Sequence, residues 1–307
     1  LVKNMKLTIA MPTYNRLDSL KLQIKRLIDQ DVTTKCNVVV INNNPTQKID
    51  FIPSNFRLIE NKYNCGGSFN VINCFLYTES EYVWVLSDDD IIVPNAIDEI
   101  ISDIEKGYDC IKYDDHFSEN RKNGTINKID NSISYINSSE NISSFIFLSG
   151  WVFSTKYLNK SFRELVNSSN SYMPQVVYAL LILKYDGTIF FSEFKLTSVS
   201  ETENQIWPGS LVHNYMFEWV RTCSWLTDKF VLNWRKYLFN EYRLKGYLGR
   251  HLRAKNEFGP HYKRIVYGKY SYKFFFYYLN NSLLYILNFI LKDKLNKKHS
   301  NGSSGRL

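Results

Sequence analysis

The sequence predicts an α/β fold, with a mainly parallel β-sheet alternating with helices and then a C-terminal helical region. Three observations carry this. Short apolar, β-branched runs alternate with stretches of helical periodicity from Leu7 to Tyr113, the mark of strand–helix–strand units. Polar clusters follow separate strand ends: Thr13-Tyr14-Asn15-Arg16, Asn42-Asn43-Asn44, Ser87 to Asp90, and Asp114-Asp115-His116. Ligands of such sheets bind beyond the carboxyl ends of the strands, so these clusters are expected on one rim. Beyond Trp207 the pattern becomes helical and aromatic.

Leu7 to Met11 is a short apolar run that stops at Pro12, consistent with a buried strand. Asp18 to Asp29 follows as a helix, because Leu20, Ile24, Leu27 and Ile28 fall on one face. Asn37 to Ile41 is a second strand, closed by the turn cluster Asn42-Asn43-Asn44-Pro45. Phe56 to Glu60 is a third. The loop Asn64-Cys65-Gly66-Gly67 leads into a helix from Ser68 to Thr78. Tyr82 to Leu86 is the next strand. Pro94 opens a helix to Lys106, since proline suits a first turn, and Cys110 to Tyr113 is a further strand. Glu119 to Asn141 is polar and reads as a loop with short strands. Ser143 to Ser154 is apolar around Ser149-Gly150. Ser171 is the expected N-cap of a helix to Lys184, and Thr188 to Phe191 reads as a strand. The chain thus divides into 1–210, a basic aromatic region 211–300, and a linker- or tag-like tail 301–307.

The net charge of +8 in 307 residues points to an anionic partner. No nucleic-acid module is recognisable, so nucleic acid is excluded as a partner. Five cysteines with no CxxC pair read as free thiols of a reducing compartment, neither a disulfide framework nor a zinc site. Lys3 and Lys6 precede only a short apolar strand, so no secretory leader is expected before Met11. The segment from Tyr262 to Lys298 mixes aromatics with lysines, and Asn280, Asn281, Ser282 and Asn288 interrupt its apolar run. It reads as a surface for an anionic membrane interface, or as a plain helical subdomain. The expected location is cytoplasmic, peripheral at the inner face of the cell membrane.

The strand Tyr82 to Leu86 ends in Ser87-Asp88-Asp89-Asp90. Like charges in a row repel one another, and packing alone gives no reason for them. A divalent cation does, because Mg²⁺ and Mn²⁺ take oxygen ligands and share themselves with substrate phosphates.

Met11-Pro12-Thr13-Tyr14-Asn15-Arg16 resembles the opening strand and loop of family 2 glycosyltransferases of the GT-A fold. Asn61-Lys62-Tyr63-Asn64-Cys65-Gly66-Gly67-Ser68-Phe69-Asn70 looks like their donor loop and helix, and Trp84 to Asp90 with Pro94 like their DxD strand end. All three agree in order and approximate spacing. The resemblance covers residues 1–110 and fades beyond. It implies a Rossmann-like sheet with helices on both faces, a nucleotide-sugar donor, Mn²⁺ or Mg²⁺, and inverting transfer of a sugar to an acceptor hydroxyl.

By the same resemblance, Pro12, Thr13, Tyr14 and Arg16 lie near the nucleotide. Asn42 stands where the family usually has an Asp that accepts the uracil N–H, with Asn44 beside it. Asn keeps a carbonyl acceptor, so uridine is allowed and the base stays open; the alternative role for Asn42 to Asn44 is an Asx turn. Gly66 and Gly67 let backbone approach the donor or simply form a tight turn, and Asn70 is a donor-side ligand or a polar residue of the helix's first turn. Asp88 and Asp89 serve donor and metal, and Asp90 the metal; the three are not ranked. His213, after a loop expected to close over the donor, is a further metal or diphosphate ligand. The family's base lies at the start of a later helix, where Tyr172-Met173-Pro174-Gln175 has no carboxylate. Asp115 and Glu164 are therefore the base candidates, with Asp114 and His116 behind them.

The resulting expectation is a metal-dependent glycosyltransferase of hexosyltransferase type. It would move a sugar from a UDP-sugar to a glycan or lipid-linked glycan in surface polysaccharide biosynthesis, such as capsule or lipopolysaccharide. The alternative is a catalytically degenerate member that binds glycan or nucleotide. A nucleotidyltransferase is disfavoured, because the loop Pro12 to Arg16 has no glycine.

Overall fold

The computed structural model describes residues 5–115, 123–132, 142–171, 173–198, 223 and 225–226. All belong to the first of the two units into which the chain divides, Leu1–Leu226. His116, Tyr172, His213, the loop 201–209 and the segment 262–298 lie outside the described residues.

In chain order the strands are β1 (Leu7–Thr13), β2 (Asn37–Asn42), β3 (Arg57–Glu60), β4 (Tyr82–Val85), β5 (Ile91–Ile92), β6 (Cys110–Asp114), β7 (Gly124–Ile126), β8 (Trp151–Ser154), β9 (Ile189–Lys195) and β10 (Thr197–Ser198). The helices are α1 (Leu17–Ile28), α2 (Val32–Lys35), α3 (Gly67–Leu76), α4 (Ala96–Glu105), α5 (Ile142–Ile146), α6 (Leu158–Asn167) and α7 (Pro174–Lys184). An 8-stranded sheet runs β3-β2-β1-β4-β8-β6-β9-β7. Strands β1, β2, β3 and β4 are parallel to one another. β8 is antiparallel to both β4 and β6, which restores β6 and β9 to the common direction. The carboxyl ends of β1, β2, β4 and β6 therefore share one rim, as the polar clusters required.

Period-two alternation sends each strand's side chains to opposite faces. Leu7, Ile9 and Met11 of β1, Val38 and Val40 of β2, and Trp84 of β4 pack with Leu20, Ile24 and Leu27 of α1 and Ile97, Ile100 and Ile104 of α4. On the other face Phe75 of α3 meets Phe153 of β8 and Tyr178 of α7 at ring-centroid distances of 5.4 and 4.8 Å. Helices thus cover both faces. Helix α7 is buried from Pro174 to Leu183, as a helix apolar all round must be.

Several local expectations are corrected. β1 continues through Pro12 to Thr13. Ala10 accepts from Leu86 on the β4 side and Thr13 from Asn43 on the β2 side, so Pro12 turns its missing donor toward the β4 side, past the end of that ladder. Helix α4 starts at Ala96, because Pro94 lies in a turn and Asn95 takes a left-handed φ of 63°. Ser171 is not the cap of α7. Met173 holds that place, its N–H donates to Ser171 Oγ at 3.2 Å, and Pro174 opens the helix. No helix among the described residues is long and apolar enough to cross a membrane.

Candidate active site

The acidic triplet leaves the carboxyl end of β4 and is held on both sides. Before it, Leu86 N–H donates to Ala10 O at 3.0 Å. After it, β5 pairs with β10, and Val93 N–H donates to Leu196 O at 2.9 Å. From α1, the buried Gln23 donates to Ser87 O at 3.2 Å. Helix, sheet and a small ribbon thus fix the path of three like charges.

The loop after β1 closes onto the triplet. Thr13 Oγ1 donates to Asp88 Oδ2 at 2.6 Å, and Arg16 reaches Asp88 Oδ1 at 3.0 Å and Asp89 Oδ2 at 2.7 Å. Ser87 Oγ donates to Asp89 Oδ1 at 2.5 Å. Asp90 accepts from Ser149 Oγ at 2.5 Å. Burial pushes the Asp88 carboxyl up from its ordinary value, while the bond from Thr13 and the Arg16 charge restrain the rise. Asp90 is pushed up to about 7, mainly by burial, with the Ser149 bond opposing and Asp89 and Asp88 adding to it. Arg16 sets one positive charge against three carboxylates, so a further cation would be favoured beside them.

The donor set is oxygen only, which fits Mg²⁺ or Mn²⁺. Among the described residues no group of three His, Cys, Asp or Glu side chains converges to hold an ion by itself. A few carboxylates completed by water and substrate phosphate remain a suitable set.

Asparagines build the neighbouring rim. Asn42 Oδ1 accepts from Asn44 N–H at 2.9 Å while its Nδ2 donates to Gln47 O at 2.8 Å, an Asx turn. Asn44 Nδ2 donates to Asn15 Oδ1 at 2.5 Å, tying the loops after β1 and β2 together. Asn61 Nδ2 donates to Asn43 Oδ1 at 3.0 Å and Asn70 Oδ1 at 2.9 Å, and Asn70 Nδ2 donates to Ile41 O at 3.2 Å. Gly66 takes φ 81° at the start of α3, a value that suits glycine. A Cβ on Gly66 or Gly67 would meet nothing within 4 Å. Pro12 stands just inside the rim, and Tyr14 is 45% exposed beside it.

The structure brings Thr13, Arg16, Asp88 and Asp89 into direct contact, with Asp90 on the same turn. It does not open either base candidate toward an acceptor. Asp115 has no exposed surface. It pairs with the equally buried Lys112 at 2.9 Å and accepts from Ser144 Oγ at 2.6 Å. Glu164 bonds Lys184 and Tyr185, both at 3.0 Å. Those residues end α7 and lead into the amino end of β9, the rim opposite the triplet. Gln175, at the expected place of a base, donates to Ile146 O at 2.6 Å. Sequence reasoning missed Gln23 and Ser149. Gln23 sits among apolar neighbours of α1, and only its full burial marks it.

The model of the family described as Glycosyl transferase family 2 matches residues 8–162, just over half of the chain. No curated protein matches it. Among solved structures, S. aureus TarS 1–349 in complex with UDP-GlcNAc aligns with a TM-score of 0.59 at 16% identity, covering 85% of this chain and 80% of that one. The same TarS fragment in another crystal structure aligns at 0.53 and 14% identity, over 85% and 83%. The mannosyltransferase PcManGT from Pyrobaculum calidifontis, in complex with GDP-Man and Mn2+, aligns at 0.50 and 12% identity, over 83% and 76%. At such identities these structures speak for the fold.

Proposed function

This chain belongs to glycosyl transferase family 2, and from that premise we propose that it transfers a sugar from a UDP-sugar, with Mn²⁺ or Mg²⁺, to a hydroxyl of a glycan or lipid-linked glycan. The carrying observation is the convergence of the loop after β1 on the acidic triplet after β4, through Thr13, Arg16, Asp88 and Asp89. The UDP-GlcNAc of the TarS complex and the GDP-Man with Mn2+ of PcManGT support a nucleotide-sugar donor.

In this reading Asp88, Asp89 and Asp90 hold the ion together with the donor diphosphate, and His213 is a further candidate ligand. The bound ion supplies charge neutralisation for the departing nucleoside diphosphate. Thr13 and Arg16 hold Asp88 in one orientation, so that little rearrangement is needed on binding. Arg16, 42% exposed at its side chain, is within the same cluster and can turn its remaining N–H groups to a phosphate. Asn42 Oδ1 has a second lone pair for a base N–H, Asn44 lies beside it, and Tyr14 offers a ring. Gly66, Gly67 and Asn70 form the donor side. Inversion requires a general base within reach of the acceptor, and Asp115 would serve only after its buried pair opens. The acceptor belongs to surface polysaccharide biosynthesis, and the segment 262–298 holds the protein at the inner face of the membrane.

The test is thermal unfolding with a panel of UDP-, GDP- and CDP-sugars, with Mn²⁺ and with EDTA. A ligand that binds only the folded state raises the unfolding temperature. A metal-dependent rise with a UDP-sugar is expected. No rise with any nucleotide sugar contradicts the reading.

A further inference from the structure

We infer that Ser149 is a positioning residue for Asp90, aiming that carboxylate at the cation of the proposed site. The inference starts from how firmly this serine is placed. It lies in the turn Leu148–Gly150 that precedes β8. Its carbonyl accepts from the indole Nε1 of Trp84, in β4, at 2.8 Å. Its hydroxyl accepts from Ser87 N–H at 2.8 Å and donates to Asp90 Oδ2 at 2.5 Å. A hydroxyl has one proton to give. With Ser87 N–H as a donor to this oxygen, the proton is committed to Asp90. One side chain thereby joins the first and last residues of Ser87-Asp88-Asp89-Asp90.

The turn is seated from beneath as well. A Cβ on Gly150 would lie 2.6 Å from Lys112 Nζ, so the glycine lets the turn rest on the buried lysine. Lys112 is fixed by Asp115 Oδ2 at 2.9 Å and by Tyr113 O at 2.7 Å. It also lies 5.7 Å from the Trp151 ring centroid. The turn is therefore anchored to β4 and β6, the strands on either side of β8. Asp90 Oδ1 takes no hydrogen bond from a described residue. With Oδ2 held by Ser149, Oδ1 is the oxygen left for an ion. A ligand carboxylate oriented by a second hydrogen bond is how proteins commonly tune metal sites, and losing such a partner weakens metal binding about 10- to 100-fold.

The inference rests on the metal-dependent reading proposed above, and the experiment separates the two. Calorimetry measures UDP and GDP binding to wild type and to Ser149→Ala, each with Mn²⁺ and with EDTA. Wild type gains affinity for its preferred diphosphate when Mn²⁺ is present. Ser149→Ala loses about 10- to 100-fold of that gain and keeps the wild-type affinity in EDTA. Ser149→Thr, which retains a hydroxyl, restores most of the gain. The double variant Ser149→Ala/Asp90→Asn binds no more weakly than Asp90→Asn alone, because the two residues act as one unit. If Ser149→Ala does not fold, Ser149→Cys makes the same comparison, since its thiol is a weak donor. A variant that keeps the full gain, or loses affinity equally with and without Mn²⁺, overturns the inference and leaves the functional reading standing. A wild type with no Mn²⁺-dependent gain overturns both.

Discussion

Asp88 is almost fully buried, and each of its oxygens has a donor, Thr13 on one and Arg16 on the other. A buried carboxylate stays useful only under such conditions, since an unpaired buried charge is costly. Arg16 in turn bridges Asp88 and Asp89. Asp88→Asn is therefore expected to lower transfer by at least about a hundredfold while the protein stays folded; steady-state kinetics with a matched circular dichroism spectrum is the check. Gly187 illustrates a purely structural demand. A Cβ there would lie 2.5 Å from Ile182 Cγ2, 2.7 Å from the Tyr157 hydroxyl and 2.9 Å from Ile182 O. Gly187→Ala should cost about 1–3 kcal/mol in urea denaturation, since a backbone carbonyl cannot move aside. At this scale the triplet was legible, because three adjacent carboxylates after an apolar strand have no packing rationale. Ser149 was not, because its work depends on Ser87 and Asp90, distant in sequence. Asn42 was legible as a polar strand end open to an Asx turn, and its Oδ1 does take the Asn44 N–H at 2.9 Å.

Among elements, β1, β2, β4 and β6 were readable as apolar runs ending in polar clusters, and that fixed the rim. The direction of β8 was not readable. Trp151 to Ser154 is buried throughout, so its pattern carries no alternation, and its antiparallel placement between β4 and β6 follows from the route of the chain. The same strand's neighbourhood holds a fully buried ion pair, Lys112 with Asp115. Such pairs are hard to break by one side only. Asp115→Asn should destabilise the protein by about 3 kcal/mol or more, and the double change Lys112→Met/Asp115→Leu should recover most of that loss. Urea denaturation of both variants decides the point, and an undisturbed Asp115→Asn would mean the pair is not buried in solution. The loop between β3 and α3 depends on Asn61, which bonds Asn43 and Asn70. Asn61→Ala takes the donor from Asn70 Oδ1, while Asn43 Oδ1 keeps the Cys65 N–H at 3.0 Å. A loss of about 1–3 kcal/mol is expected, together with weaker nucleotide binding by calorimetry.

For the molecule as a whole, a mainly parallel sheet was legible because strand and helix periods alternate through residues 7–113, while helices on both faces were what the family resemblance implied. A catalytic base was not legible, because order along the chain does not show a carboxylate's surroundings: Asp115 is enclosed in an ion pair with Lys112, and Glu164 is bonded to Lys184. The basic aromatic segment 262–298 carries a separate prediction. Lys292, Lys294, Lys297 and Lys298 should each add about 1 kcal/mol of attraction to anionic lipid. Flotation with anionic liposomes should succeed at low salt and fail at high salt; flotation that ignores salt and lipid charge would rule this out. The central claim is metal-dependent sugar transfer by the triplet. Its most direct measurement is a Mn²⁺ titration of sugar transfer from the UDP-sugar that most stabilises the protein, in wild type and in Asp88→Asn, Asp89→Asn and Asp90→Asn. The account predicts saturable Mn²⁺ activation in wild type and a loss of at least about a hundredfold in at least one variant. Wild-type transfer that is unchanged in EDTA and in all three variants would contradict it.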